Sequence, residues 1–266
     1  MAVNEIVHVA LAPPDRLQEN LVAQVATIVN KDVYGTRLLL VGKIPKIIAH
    51  YDTVQMAELT AQSLKALGLV AIVCKDSDLR RPSQTQRYRA HTLKFEEQAA
   101  LFWDKIGQER RMESNNAFLI INGKVQTYTE TEVTKTGMRL NLAATVLTGG
   151  IPIVRRVKEK TTDRSLQTER FVRLYDRTSP EPNVEILQNE FDYSFLGAEI
   201  APSSLANFGT TVTRIRHILL QAVFDDRLTK SFGVDIPSTA PQEGIEINCK
   251  LIYLYHKAVS NLGSSA

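Results

Sequence analysis

The sequence predicts an α+β chain: a small α/β domain followed by a β-rich, partly barrel-like domain closed by a C-terminal helix. Three observations predict it. Residues 5–75 alternate between short β-branched runs and helical apolar stripes. Residues 91–196 carry a series of short strand-like segments. One long amphipathic stripe, over 202–223, then follows those strands. A length of 266 residues fits two domains at roughly 150 residues each. The expected boundaries are 1–78 for the α/β domain, 79–90 for a linker, 91–235 for the β-rich domain and 236–266 for a docking tail.

The elements follow in order. Residues 5–11 (EIVHVAL) alternate as a strand, which Ala12-Pro13-Pro14-Asp15 ends. Asp15 reads as an N-cap for a helix whose stripe includes Leu17, Leu21, Val22, Val25 and Val29, and Asn30-Lys31-Asp32 closes it. A short helix or turn follows at 32–38. Leu38–Val41 and Ile44–His50 flank the Gly42-Lys43 turn, and Pro45 argues against a central strand there. Thr53 caps a helix to Leu67 with Met56, Leu59, Leu64 and Leu67 as its apolar residues, and Gly68 stops it. Leu69–Lys75 is a strand. Residues 76–90 are polar, hold Pro82, and read as a linker.

Beyond the linker, His91–Phe95 is a strand, and Glu96–Asp104 a strand or short helix. Asn116–Gly123 is a strand running into Asn122-Gly123, a hairpin signal, with Lys124–Glu132 as the return strand. Leu140–Leu147, Ile151–Val157, Arg170–Tyr175 and Val184–Leu187 are further strands. Pro202-Ser203-Ser204 opens the second clear helix. The apolar tail Ile245–Val259 is a strand or a helix that docks on the core, and Asn261–Ala266 frays.

The strand with Ile6, His8 and Ala10, a long helix, the Pro45 turn, a helix ending in Leu64-Lys65-Ala66-Leu67-Gly68 and a final strand resemble a known pattern. It is that of the bacterial ribosomal stalk protein's C-terminal domain and the related fold of the Clp-protease adaptor. The resemblance covers residues 4–76 and implies a small α/β module that docks other proteins. Arg37, Lys43 and Lys46 echo part of the stalk domain's basic surface. Tyr34-Gly35-Thr36 departs from its Gly- and Lys-rich turn, so translation-factor binding is not carried over. Residues 90–230, several strands closed by one long helix, resemble the pleckstrin-homology-like architecture in topology.

Composition bounds the function. Apolar residues make up 44% and charged residues 23%, which excludes collagen-like and fully disordered chains. No apolar run approaches the ~18–20 residues of a membrane helix. Two cysteines, Cys74 and Cys249, exclude a disulfide scaffold and a four-cysteine zinc site. The N-terminus shows no signal-peptide pattern, so the expected compartment is cytoplasmic, with both thiols reduced. Net charge is +3 but uneven: +3 over 1–90, +3 over 91–165 and −3 over 166–266.

No motif assigns a catalytic residue, a cofactor or a metal. Gly42-Lys43 lacks the phosphate-loop frame, which needs Gly at Arg37 and Ser or Thr at Ile44. Thr148-Gly149-Gly150 reads as a turn between strands. Phe195-Leu196-Gly197 to Asn207-Phe208-Gly209 reads as a strand-to-helix junction. His8, His50, His217 and His256 stand apart with no ligand spacing.

The candidate interaction surface is basic: Arg80, Arg81, Arg87 and Arg89 in the linker, and Arg155, Arg156, Lys158 and Lys160, with Lys135 and Arg139 upstream. Aromatics are not interleaved with these residues, so protein contact is favoured over nucleic-acid binding. The expected function is therefore a non-enzymatic interaction, scaffold or assembly protein, with a protein partner or self-association. One alternative is nucleic-acid binding through 80–89 and 135–160. Another is a metal-dependent hydrolase built on Asp192 and Asp225 or Asp226, with Glu190 nearby in sequence.

Overall fold

A computed structural model describes residues 5–80, 87–140, 154–229 and 241–263. They form an α+β protein with three sheets and no closed barrel among the described residues. Met1–Val125 with Glu169–Ala266 pack as one compact unit, and Gln126–Thr168 form a second.

The first sheet has the order β2-β1-β3, with β1 (Val7–Leu11) antiparallel to both β2 (Lys46–Tyr51) and β3 (Ala71–Lys75). Every residue of β1 is buried, as a central strand covered on both faces must be. On one face Val7, Val9 and Leu11 meet three helices: α1 (Glu19–Ile28), α2 (Val33–Leu40) and α3 (Val54–Ala66). Pro45 precedes an edge strand, where a missing N–H is tolerated.

Helix α1 starts at Glu19 with Gln18 as its N-cap, not at Asp15, and an acidic first-turn residue suits the positive end of the helix dipole. Leu38–Leu40 are the last turn of α2, whose orphan carbonyls at Leu38 and Val41 accept from Lys46 Nζ. In α3 Thr53 accepts from the Met56 N–H and Gly68 takes a positive φ just past the end, both as the sequence predicts. The buried stripe differs: Ala57, Ala61 and Leu64 face the sheet, whereas Met56 and Leu59 are exposed. Spacing of 4 and 3 residues puts the small alanines, not the larger side chains, on the inner face.

Residues 76–90 divide. Asp76–Arg80 form α4, residues 81–86 lie outside those described, and 87–90 bond to β9 (Val184–Leu187). Strands β4 (Thr92–Phe95), β5 (Ala99–Trp103) and β6 (Glu109–Glu113) form an antiparallel meander. The third sheet has the order β10-β7-β8-β9, from β7 (Ala117–Leu140), β8 (Val154–Asp176), β9 and β10 (Val223–Leu228). Helix α5 (Ser204–Ile218) packs Phe208, Val212 and Ile215 against Phe102 of the meander and Ile120, Val172 and Leu174 of the third sheet. The barrel-like expectation is thereby corrected: the strands split into two open sheets that share α5 as a cover.

Two further expectations fail for physical reasons. Asn122-Gly123 is not a hairpin turn, and Lys124–Glu132 is not a return strand: β7 runs through both. A Cβ at Gly123 would collide with the Phe171 ring and lie 3.0 Å from Leu228 Cβ. The glycine therefore serves close approach of β8 and β10 rather than a turn. Likewise Asp225-Asp226-Arg227 lie within β10, not at a helix end. The stretch 141–153, including Thr148-Gly149-Gly150, falls outside the described residues.

The tail is a helix, α6 (Pro241–Gly263). Leu251 and its neighbours Ile247, Leu254 and Tyr255 cover Ala10, Ile72 and Cys74 on the second face of the first sheet. Cys249, Ile252 and Tyr253 pack on Phe118, Ile121, Phe171 and Tyr175 of the third sheet. A helix apolar on two sides has two surfaces to bury, and α6 buries both.

Candidate interaction surface

The linker arginines are committed to internal carboxylates. Arg80 Nε donates to Asp76 at 2.8 Å, while Arg81 lies outside the described residues. Arg87 donates to Glu185 (3.2 Å) and, through both terminal nitrogens, to Glu246 (3.0 and 2.6 Å). Arg89 Nε donates to Glu185 at 3.1 Å. The centre of this network is Arg173, 4% exposed, which donates to Glu185 and Glu246 (2.8 and 2.7 Å). Burial raises the Glu185 pKa, but the Arg173 and Arg87 charges reverse the shift and hold it below the usual value. The network joins residues 87–89, β8, β9 and α6, so Arg87 and Arg89 clamp elements together.

The second basic cluster has a different setting. Lys135 and Arg139 lie on β7, and Arg155, Arg156, Lys158 and Lys160 on β8, all within the 126–168 unit. These strands have 24 and 23 residues, against a usual 3–10. Strand β10 pairs with β7 over Leu119–Gly123, and β9 pairs with β8 over Phe171–Leu174. Over 126–140 and 154–168 no third strand pairs with either of them among the described residues.

Asp192, Asp225 and Glu190, among the carboxylates put forward for a hydrolase, are each engaged. Asp192 accepts from the N–H and hydroxyl of Ser194 (2.9 and 2.8 Å), an arrangement that terminates a turn. Asp225 is buried and accepts from Arg227 Nε (2.9 Å) and His256 Nε2 (2.8 Å). Burial opposes its ionisation, yet those two partners hold its carboxyl well below the usual range. Asp226 gives its backbone carbonyl to Thr229, and Glu190 pairs with Lys105 at 3.1 Å. No group of three metal-ligating side chains is found among the described residues. The 195–209 stretch is a junction in which Asn207 bonds both the N–H and the carbonyl of Ala201.

One arrangement was not legible in the spacing of the histidines. The register of β1 on β2 places His8 directly opposite His50, and their Nδ1 atoms lie 2.8 Å apart. His8 Nε2 in turn lies 2.8 Å from Asp76 Oδ1, so three polar groups from β1, β2 and α4 form a chain. The only available signal was two strands of matched length each carrying one histidine, and sequence leaves register undetermined.

No helix among the described residues is long and apolar enough to cross a membrane. Comparison of the chain with protein-family models, curated proteins and solved structures finds no match.

Proposed function

We propose that the chain is an interaction and assembly protein that engages a protein partner, or a further copy of itself, through the β7–β8 ribbon of residues 126–168. The observation that carries this reading is the pair of long strands whose outer edges lack a third strand among the described residues. An unpaired edge offers a row of backbone donors and acceptors, and strand addition is a common way to satisfy them. A two-stranded ribbon alone is also only marginally stable in water, so a covering partner stabilises it. The resemblance of residues 4–76 to protein-docking modules points the same way.

The test is light scattering and mass spectrometry on the natively purified chain, beside a variant carrying Thr129→Pro and Thr131→Pro. Proline removes ladder donors from the ribbon. A fixed-stoichiometry assembly that the double variant loses is the expected outcome. A bare monomer overturns the reading. So does an assembly that the variant leaves intact, or co-purified nucleic acid released by Arg155→Glu with Arg156→Glu.

A further inference from the structure

We propose that His50 is a phosphoryl-accepting modification site, primed by the Asp76–His8–His50 hydrogen-bond chain to present an unprotonated Nε2 to solvent. The argument is one of proton accounting. Asp76 accepts from His8 and from Arg80, and these contacts hold its carboxyl below the usual range, so it is an ionised acceptor. An acceptor carboxylate requires the proton of His8 to sit on Nε2. In the tautomer whose single proton sits on Nε2, His8 carries its lone pair on Nδ1, 2.8 Å from His50 Nδ1. His50 must supply the proton to that contact from its own Nδ1. Its Nε2 is left with the lone pair, and no described residue bonds it.

The surroundings favour this state. His8 is buried and directly opposite His50, so its ring has little freedom to choose another partner. His50 is exposed on the edge strand β2. Partial burial, His8, Lys31 and Arg80 keep its pKa below the ordinary imidazole value, with Asp76 pulling the other way. The ring is therefore neutral and nucleophilic at neutral pH. Lys31 and Arg80 set a positive field around it, which attracts an anionic electrophile rather than a neutral one.

The chemistry that fits is transfer from a high-energy phosphoryl donor, an acyl phosphate or a phosphoramidate. The His50 Nε2 lone pair forms the N–P bond as the bond from phosphorus to the leaving carboxylate or ammonia breaks. The leaving group departs with that bonding pair. The positive charge gained by the imidazole is shared through its Nδ1 proton with His8 and balanced by Asp76. His8 and Asp76 are positioning residues here, because neither reaches the transferred group.

The experiment treats the full chain with phosphoramidate and locates the adduct by intact mass, peptide mapping and phosphorus NMR. His217, an exposed histidine on α5, is the internal reference. The expected result is one acid-labile phosphoryl group on His50, forming at least about tenfold faster than on His217 and lost in His50→Gln. The rate falls below the His50 pKa as the acceptor becomes protonated. Asp76→Asn, which cannot hold the His8 tautomer as a carboxylate does, slows the reaction by about tenfold, toward the His217 rate, and shifts that pH profile. Equal modification of His50 and His217 in the unaltered chain overturns the proposal, whatever the variants do. Labelling elsewhere, or an Asp76→Asn rate equal to that of the parent, overturns it as well.

Discussion

At the scale of single residues, the positions with the strictest requirements are those where two elements come closest. Gly123 is one. Phe171 and Leu228 occupy the space a Cβ would take. Gly123→Ala should therefore destabilise the chain by about 1–3 kcal/mol through overpacking, read as a lower urea midpoint. A larger midpoint would show that the strands can part at no cost. Glu185 is another, since it is 2% exposed and faces Arg173, Arg87 and Arg89. Glu185→Gln leaves the buried Arg173 charge short of a partner and should cost about 3–5 kcal/mol. The same contact sets a pH dependence. The folded pKa of Glu185 lies below its ordinary value of 4.5, so its stabilisation is complete above about that pH. It is lost as pH falls from there through the folded pKa, and the buried Asp225 behaves in the same sense. An acid titration of unfolding free energy should show this loss, and Glu185→Gln should flatten it.

At the scale of elements, α3 separates what local chemistry determines from what packing determines. Its cap, its length and its glycine stop are local, and each is plain in the sequence. Thr53→Ala should cost about 1 kcal/mol, because the Met56 N–H loses its acceptor. Met56→Ser should stay within about 0.5 kcal/mol, since Met56 is 53% exposed. Thermal melts of the two variants check both, and a costly Met56→Ser would mean that something covers that face. The inner stripe of α3 is hidden in the sequence because alanines carry a weak hydropathy signal, whereas contact with β1 decides which stripe is inner. The same limit applies to β7. Asn122-Gly123 has the composition of a turn, yet the neighbours of Gly123 come from β8 and β10, dozens of residues away.

At the scale of the whole molecule, α6 is the element on which the rest depends. It fills one side of the first sheet and one side of the third, and Glu246 closes the arginine network. Lys250 adds a bond to the Asp78 carbonyl at 3.1 Å and an ion pair to Glu181 at 2.9 Å. Cys74 lies under this helix and Cys249 on its buried face. Burial pushes the Cys74 thiol up to about 12 and raises that of Cys249. Neither should react with a thiol reagent in the native state, and both should react together once the chain unfolds. Rapid native labelling of one cysteine would show that α6 leaves its seat independently of the rest. The candidate site divides along the same line. The linker arginines read from the sequence as a free basic surface, but Glu185 and Glu246, distant in the chain, engage Arg87 and Arg89.

The sequence by itself determined the α+β class, the order of most elements and the caps of α3. These depend on periodicity and on interactions within a few residues, which the order of side chains states directly. Only the tertiary structure decided that the strands form open sheets, that β7 continues through Gly123, and that His8 meets His50 and Asp76. Those outcomes rest on register and on contacts between distant segments. Such contacts are selected by the total packing and charge pairing of the folded chain, so no local pattern can express them.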